Sequence, residues 1–189
     1  MNFWKRIDYQ PYSQIVERIQ AFDNVTVIGK DQSYKYDMYM IELGNPENPT
    51  LFMTASLHGS EWQGTIYNLD FLEQLRDDTY PDKELRDRLL NEFHIAAIPV
   101  VNPWGYVDTY PEAIVQGRYN SRGADLNRDF HDFSERESQN VRDQMLRFKP
   151  FAYLDSHLIR TNDSREELLI VGNGQYETDY LKERWIDQL

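Results

Sequence analysis

Cysteine is absent from the 189-residue chain, which excludes a disulfide framework and a thiolate metal site; any transition metal must be held by nitrogen and oxygen. Histidine, with only four copies, therefore carries the question of metal binding. No run of roughly 18 apolar residues occurs, and Met1–Arg6 is not followed by an apolar stretch of signal-peptide length, so a soluble, cytoplasmic protein with no membrane partner is expected. Basic residues are outnumbered, 20 Lys and Arg against 32 Asp and Glu, for a net charge of −12, and they are scattered rather than blocked. A phosphate-backbone footprint is missing, which argues against nucleic acid as a partner. Repeats, low-complexity segments and a glycine-rich nucleotide loop are missing too.

What remains is a folding sequence. Apolar residues make up 40% of the chain and aromatics 14%, thirteen of them Tyr, enough for a core and for large amphipathic surfaces. The length fits a single domain spanning 1–189.

Tyr12 to Phe22 places Ile15, Val16, Ile19 and Phe22 at helical spacing, and Asn24 to Gly29 reads as a short strand. Tyr34 to Leu43 alternates as a strand does, and Thr50 to Ala55 is the continuous apolar run of an interior strand. Helices are expected from Trp62 to Arg76 and from Lys83 to Asn91, then a buried strand from Phe93 to Val101. Asn102 to Phe133 is rich in turn formers and reads as a long loop, of the kind that carries function in compact domains. A helix from Ser134 to Phe148 follows, with Ser134 as cap and Glu137 three residues on, then a strand at Phe151–Leu154. A last strand at Leu168–Gly172 and a helix at Thr178–Gln188 complete the reading. Strands alternating with helices predict an α/β three-layer sandwich, a mixed, largely parallel sheet with helices on both faces. In such sheets, sites lie beyond the carboxyl ends of strands, where both His58 and His157 fall.

His58-Gly59-Ser60-Glu61 offers two metal ligands on one turn, and His157 a third from a distant strand. Hydrolytic zinc needs such a set of three nitrogen or oxygen ligands and one open position for water. By itself a His-x-x-Glu pair is common by chance. A second feature stands in the long loop, where Arg118, Arg122 and Arg128 cluster with Asn120 and Asn127 in an otherwise acidic chain: a local basic pocket. Guanidinium groups grip carboxylates through paired hydrogen bonds, although arginines of a solvated loop pair equally well with nearby acids.

Taken in order, His-Gly-Ser-Glu-Trp after an apolar strand, Val101-Asn102-Pro103-Trp104-Gly105-Tyr106, Gly-Ala-Asp-Leu-Asn-Arg-Asp-Phe at 123–130 and Asp155-Ser156-His157 resemble the zinc carboxypeptidases of the carboxypeptidase A type, especially their short bacterial relatives. The resemblance implies that fold, with a Zn2+ cofactor on His58, Glu61 and His157. It implies Asn127 and Arg128 as the residues that hold the substrate carboxylate, and Arg118 as the one that polarises the scissile carbonyl, with Arg122 as the fallback. Asp125 matches the carboxylate that orients the first zinc histidine; as a bare sequence feature it is equally a turn former. The activity implied is hydrolysis of an amide next to a free carboxylate, in a peptide or, as in the aspartoacylase and succinylglutamate desuccinylase group, in an acylated amino acid.

The resemblance also implies a glutamate base near the carboxyl end of the domain. Glu166, Glu167, Glu177 and Glu183 follow His157, none in a matching context, and none is assigned. The fold is accordingly expected to be truncated at its carboxyl end: a fragment, a remnant that only binds, or a shortened enzyme with a relocated base. Leu158 and Trp104 depart from the family pattern at positions near substrate. His94, in an expected buried strand, and His131, in a loop, have no partner at ligand spacing and read as structural or solvated rather than catalytic.

Overall fold

The computed structural model describes residues 8–108 and 117–158; the strand and helix expected beyond residue 167 lie outside them. Among the described residues, five strands form one sheet in the order β1-β2-β4-β3-β5: β1 Val25–Lys30, β2 Asp37–Gly44, β3 Thr50–Ala55, β4 His94–Ile98 and β5 Ala152–Ser156. The sheet is mixed, with β1 antiparallel to β2, β2 antiparallel to β4, and β3 parallel to both β4 and β5. The helices are α1 Tyr12–Gln20, α2 Trp62–Arg76, α3 Lys83–Glu92, α4 Pro103–Val107 and α5 Arg136–Phe148.

The two-residue period of the strands sorts the core into two layers. Ile41, Met53, Ile95 and Ala97 face one way and pack with Ile15 and Ile19 of α1 and Ile66, Leu69, Leu72 and Leu75 of α2. Met38, Met40, Phe52, Ala96 and Ile98 face the other way, against Val141 of α5, with Met145 and Phe148 alongside. Each fully buried Leu or Ile contributes on the order of 1.5–3 kcal/mol. Central β4 carries Ala96 and Ala97 where side chains from both layers press in, and all five of its residues are buried. At the far side, β5 pairs with β3 alone among the described residues, and Phe151 and Leu154 stand 75% and 55% exposed.

Three expectations change in detail. The stretch from Asn102 to Phe133 is not a bare loop. Asn102, whose side chain accepts from the Gly105 N–H, caps α4, with Pro103 at its first turn, and a short 3-10 helix spans Leu126–Arg128; cap and proline together start a helix too short for periodicity to reveal. The strand from Phe93 is shorter than its apolar run, because the ladder ends at Ile98; the segment 99–101 stays buried but bends, and only the Val101 N–H returns to the Ala55 carbonyl. Helix α5 begins at Arg136 without a Ser134 cap. Instead the Asp129 carboxylate accepts from the Ser134 and Glu135 amides, both at 2.9 Å, and from the hydroxyls of Ser134 and Ser138. His94 is structural, as expected: it is buried, with Nδ1 3.1 Å from Thr50 Oγ1 and Nε2 3.0 Å from Glu42.

Chain order then locates the crevice. From β3 the chain moves through α2 and α3 to β4 on one side, and afterwards through α5 to β5 on the other. The carboxyl end of β3 is therefore the switch point of the parallel part of the sheet, where such folds open a cleft.

Candidate metal centre

Parallel pairing sets Ala55 opposite Ser156. His58, three residues past the end of β3, and His157, one residue past the end of β5, thus arrive at the same end of adjacent strands. The turn leaving β3 is tight: Ser56 is fully buried with φ 50°, in the left-handed region, and its hydroxyl lies 2.7 Å from Thr65 Oγ1. Strain of this kind persists only where surroundings over-determine it, here through the Asn102 N–H donating to the Ser56 carbonyl and Thr65 donating to the Pro99 carbonyl. Gly59 is needed because the backbone of Gly105 and Tyr106 in α4 occupies the space a Cβ would take.

Glu61 stands at the N-cap of α2 yet caps nothing with its side chain. Its carboxylate turns into the cleft instead, with Oε1 2.9 Å from His58 Nδ1 and Oε2 2.8 Å from His157 Nδ1, and accepts from the Leu158 N–H at 3.2 Å. On their far sides both rings meet aspartates: His58 Nε2 lies 3.1 Å from Asp125 Oδ1, and His157 Nε2 2.6 Å from Asp155 Oδ2. A carboxylate only accepts, so each Nε2 is the N–H donor, and each Nδ1 is turned inward towards Glu61. Two Nδ1 atoms and a carboxylate oxygen, with ligand atoms within 4.8 Å of one another, form a set of lone pairs that only a cation can satisfy, whether a proton on each ring or one metal ion. Two imidazole nitrogens and one carboxylate oxygen are a zinc-type donor set, and carboxylates behind the imidazoles are the usual support for it.

The electrostatics agree with this geometry. Burial alone would raise the Glu61 carboxyl, but hydrogen bonds from His157 and His58 prevail and hold it down to about 2. His157 is pushed up to about 10 by its hydrogen bonds to Asp155 and Glu61, against the opposing effect of burial. Asp125 is held below the ordinary carboxylate range because bonds from Arg118 and His58 overcome its partial burial.

The arginine loop divides. Arg118 donates through Nε and Nη2 to Asp125 Oδ2, at 3.1 and 2.7 Å, so its guanidinium sits directly behind the carboxylate that holds His58. Arg122 instead lies 3.6 Å from Glu135 beside α5. Asn127 and Arg128 are exposed on the 3-10 helix, whose first turn is held by Asp125 Oδ1 accepting from the Asn127 N–H at 3.0 Å. Exposed His131 lies outside the group. Sequence reasoning missed Asp155, although it stands two residues before His157 on an extended strand and so shares its side. It also missed the buried contacts of Asn120 with Glu135 and Glu137, which no local pattern signals.

The model of the zinc carboxypeptidase family matches residues 16–157. Similar solved structures include a metallo-carboxypeptidase from Burkholderia cenocepacia, 22% identical over 77% of this chain and 39% of that one with a TM-score of 0.65. Carboxypeptidase A from Helicoverpa armigera is 21% identical over 82% of this chain and 47% of its own, with a TM-score of 0.62. A metallo-carboxypeptidase from Pseudomonas aeruginosa, in complex with (2-guanidinoethylmercapto)succinic acid, is 23% identical over 77% and 38%, with a TM-score of 0.57. At these identities the likeness is one of fold, and the chain spans less than half the length of each of these structures. No curated protein matches it.

Proposed function

Since the chain belongs to the zinc carboxypeptidase family, we propose that His58, Glu61 and His157 hold a zinc ion and that the site hydrolyses the amide bond next to a free carboxylate, releasing the terminal residue of a peptide. The observation that carries this reading is the convergence of His58 Nδ1 and His157 Nδ1 on the Glu61 carboxylate, with both Nε2 atoms tied back by aspartates. Zinc, when bound there, supplies a Lewis acid that polarises the carbonyl and activates water.

The chain's own residues do the rest. Asp125 and Asp155 keep the ligand tautomers and ring orientations, so that ordering is complete before a metal arrives. Arg118, fixed on Asp125, brings a permanent positive charge to the cleft, where it favours the oxyanion that develops on the scissile carbonyl. Asn127 and Arg128, exposed on the neighbouring 3-10 helix, bind the substrate carboxylate, for which the planar guanidinium is suited. The succinic-acid ligand of the Pseudomonas aeruginosa enzyme is compatible with carboxylate recognition in the family. The glutamates considered for the base, Glu166, Glu167, Glu177 and Glu183, lie outside the described residues.

The test is metal analysis and turnover on the purified chain. One zinc per chain and chelator-sensitive release of C-terminal residues from a peptide panel support the proposal. Release from acylated amino acids alone moves the substrate class to the deacylases. Zinc bound without turnover on either panel leaves a binding site rather than an enzyme, and no zinc uptake ends the proposal.

A further inference from the structure

Between Arg118 and Asp125 the chain makes a turn whose shape depends on one side chain. Asn120 is 4% exposed, and its amide is engaged on both sides. Oδ1 accepts from the Arg122 and Ala124 amides, each at 3.0 Å, while Nδ2 donates to Glu135 Oε2 at 2.7 Å and to Glu137 Oε2 at 3.4 Å. Its own backbone closes the same turn, with the Asn120 N–H donating to the Ala124 carbonyl and the Gly123 N–H donating to the Asn120 carbonyl. Gly123 takes φ +77° in open space, so glycine is required there by conformation rather than by crowding.

Both ends of this turn belong to the metal centre. Arg118 precedes it, Asp125 follows it, and the two meet across it in the ion pair that stands behind His58. Nothing else in the turn is anchored so deeply: Tyr119 and Arg122 are exposed, whereas Glu135 and Glu137 are buried at the start of α5. Only an amide satisfies the pattern. Oδ1 must accept from two backbone N–H groups and Nδ2 must donate to two carboxylates, so a carboxylate at 120 would place a third acceptor against Glu135 and Glu137.

We infer that Asn120 is a positioning residue for the metal centre: through it, the buried acids of α5 hold the 118–125 turn in the one place where Asp125 can fix the His58 ring. The inference rests on the zinc reading above, and it names a role for a residue that never touches the metal ligands. Asn120→Asp is the perturbation, since it keeps size and Oδ1 but reverses the Nδ2 polarity. Asn120→Asp combined with Glu135→Gln restores one donor and one acceptor with the same total charge, so it recreates the contact in reverse.

Zinc affinity is measured by competition with a chromogenic chelator at a temperature where circular dichroism shows each protein folded. Loss of support behind a metal histidine weakens affinity about 10–100-fold. The single variant should lie near the lower end of that range, and the double variant should recover most of the loss, with only the longer Glu137 contact left unmade. An unchanged affinity in the single variant, or no recovery in the double, overturns the inference. If Asn120→Asp does not fold, the double variant decides by the same criterion, and failure of both to fold also overturns it. If the wild-type chain takes up no zinc, the metal reading fails separately. Hydrogen exchange of the Asn127 amide, held by Asp125 Oδ1, then decides the positioning role: faster in the single variant and slowed again in the double supports it, and no change overturns it.

Discussion

Asp125→Ala is the sharpest probe of the centre, because one carboxylate joins three of its parts. Oδ1 accepts from His58 Nε2 and the Asn127 N–H, and Oδ2 accepts from two nitrogens of Arg118. Removing it frees the His58 ring to rotate or change tautomer while Glu61 and His157 stay in place. The expected loss of zinc affinity is about 10–100-fold, or ~1.4–2.7 kcal/mol. The fold should suffer less. Arg118 is 36% exposed in its side chain and Asp125 19%, so solvent screens their ion pair and its loss contributes at most about 1 kcal/mol. The assay pairs chelator competition for zinc with thermal melting of the metal-free protein, and Asp125→Asn, which retains an acceptor oxygen for His58, should fall between wild type and alanine. Zinc binding by Asp125→Ala at wild-type strength would refute the reasoning, as would an affinity loss that merely tracks a collapse of the fold.

Gly59→Ala forces a methyl into the backbone of Gly105 and Tyr106 and should destabilise by about 1–3 kcal/mol, lowering the melting temperature by roughly 2–4 °C per kcal/mol for a chain of this size; an unshifted melt contradicts the packing described. Asp129→Asn should cost about 1–3 kcal/mol at neutral pH, because an amide nitrogen would face the donors at the start of α5. The Asp129 carboxyl lies below its ordinary value, since hydrogen bonds from Ser134, Ser138 and the Glu135 and Ser134 amides outweigh the upward effect of burial. Its contribution is therefore present above about pH 4 and disappears as pH falls through the depressed folded value, so the denaturation curves of wild type and variant should converge in acid and nowhere else. His157 has the opposite sign. With its folded value raised to about 10, the stability it lends the metal-free protein is full below about 6.5 and is lost as pH rises through about 10. Zinc must displace that proton, so its affinity should climb with pH across this window, by about tenfold per pH unit if one proton is released; a pH-independent affinity from 7 to 9 would refute the raised His157 value.

Much of the architecture follows from local pattern. Alternation from Tyr34 to Leu43, the apolar run at Thr50–Ala55 and the helical spacing of Trp62–Arg76 each express a periodicity that the backbone imposes within a few residues; the last two elements fall on those bounds, and the first strand begins at Asp37. Capping was less legible. Ser134 and Glu137 have the spacing of a capping box, but Asp129 takes the Ser134 amide from outside the helix, and the Glu137 carboxylate accepts from the Gln32 N–H instead. Short α4 was invisible for a different reason, since five residues hold too little period to register.

At the site, chemistry and location separate. Residue types at His58, Glu61, Asp125 and His157 limited what the centre can be, because two imidazoles and a carboxylate without cysteine are a nitrogen and oxygen donor set wherever they meet. That they meet, across 96 positions between Glu61 and His157, was decided by the placement of β5 beside β3. The same holds for the pairing of Arg118 with Asp125, and for Asn120 and its partners in α5. A sequence carries the periods that form strands and helices, which are short-range properties of the backbone. Which strands become neighbours, and therefore which lone pairs converge, is settled by burying both layers of the core at once, and only the assembled sheet contains that answer.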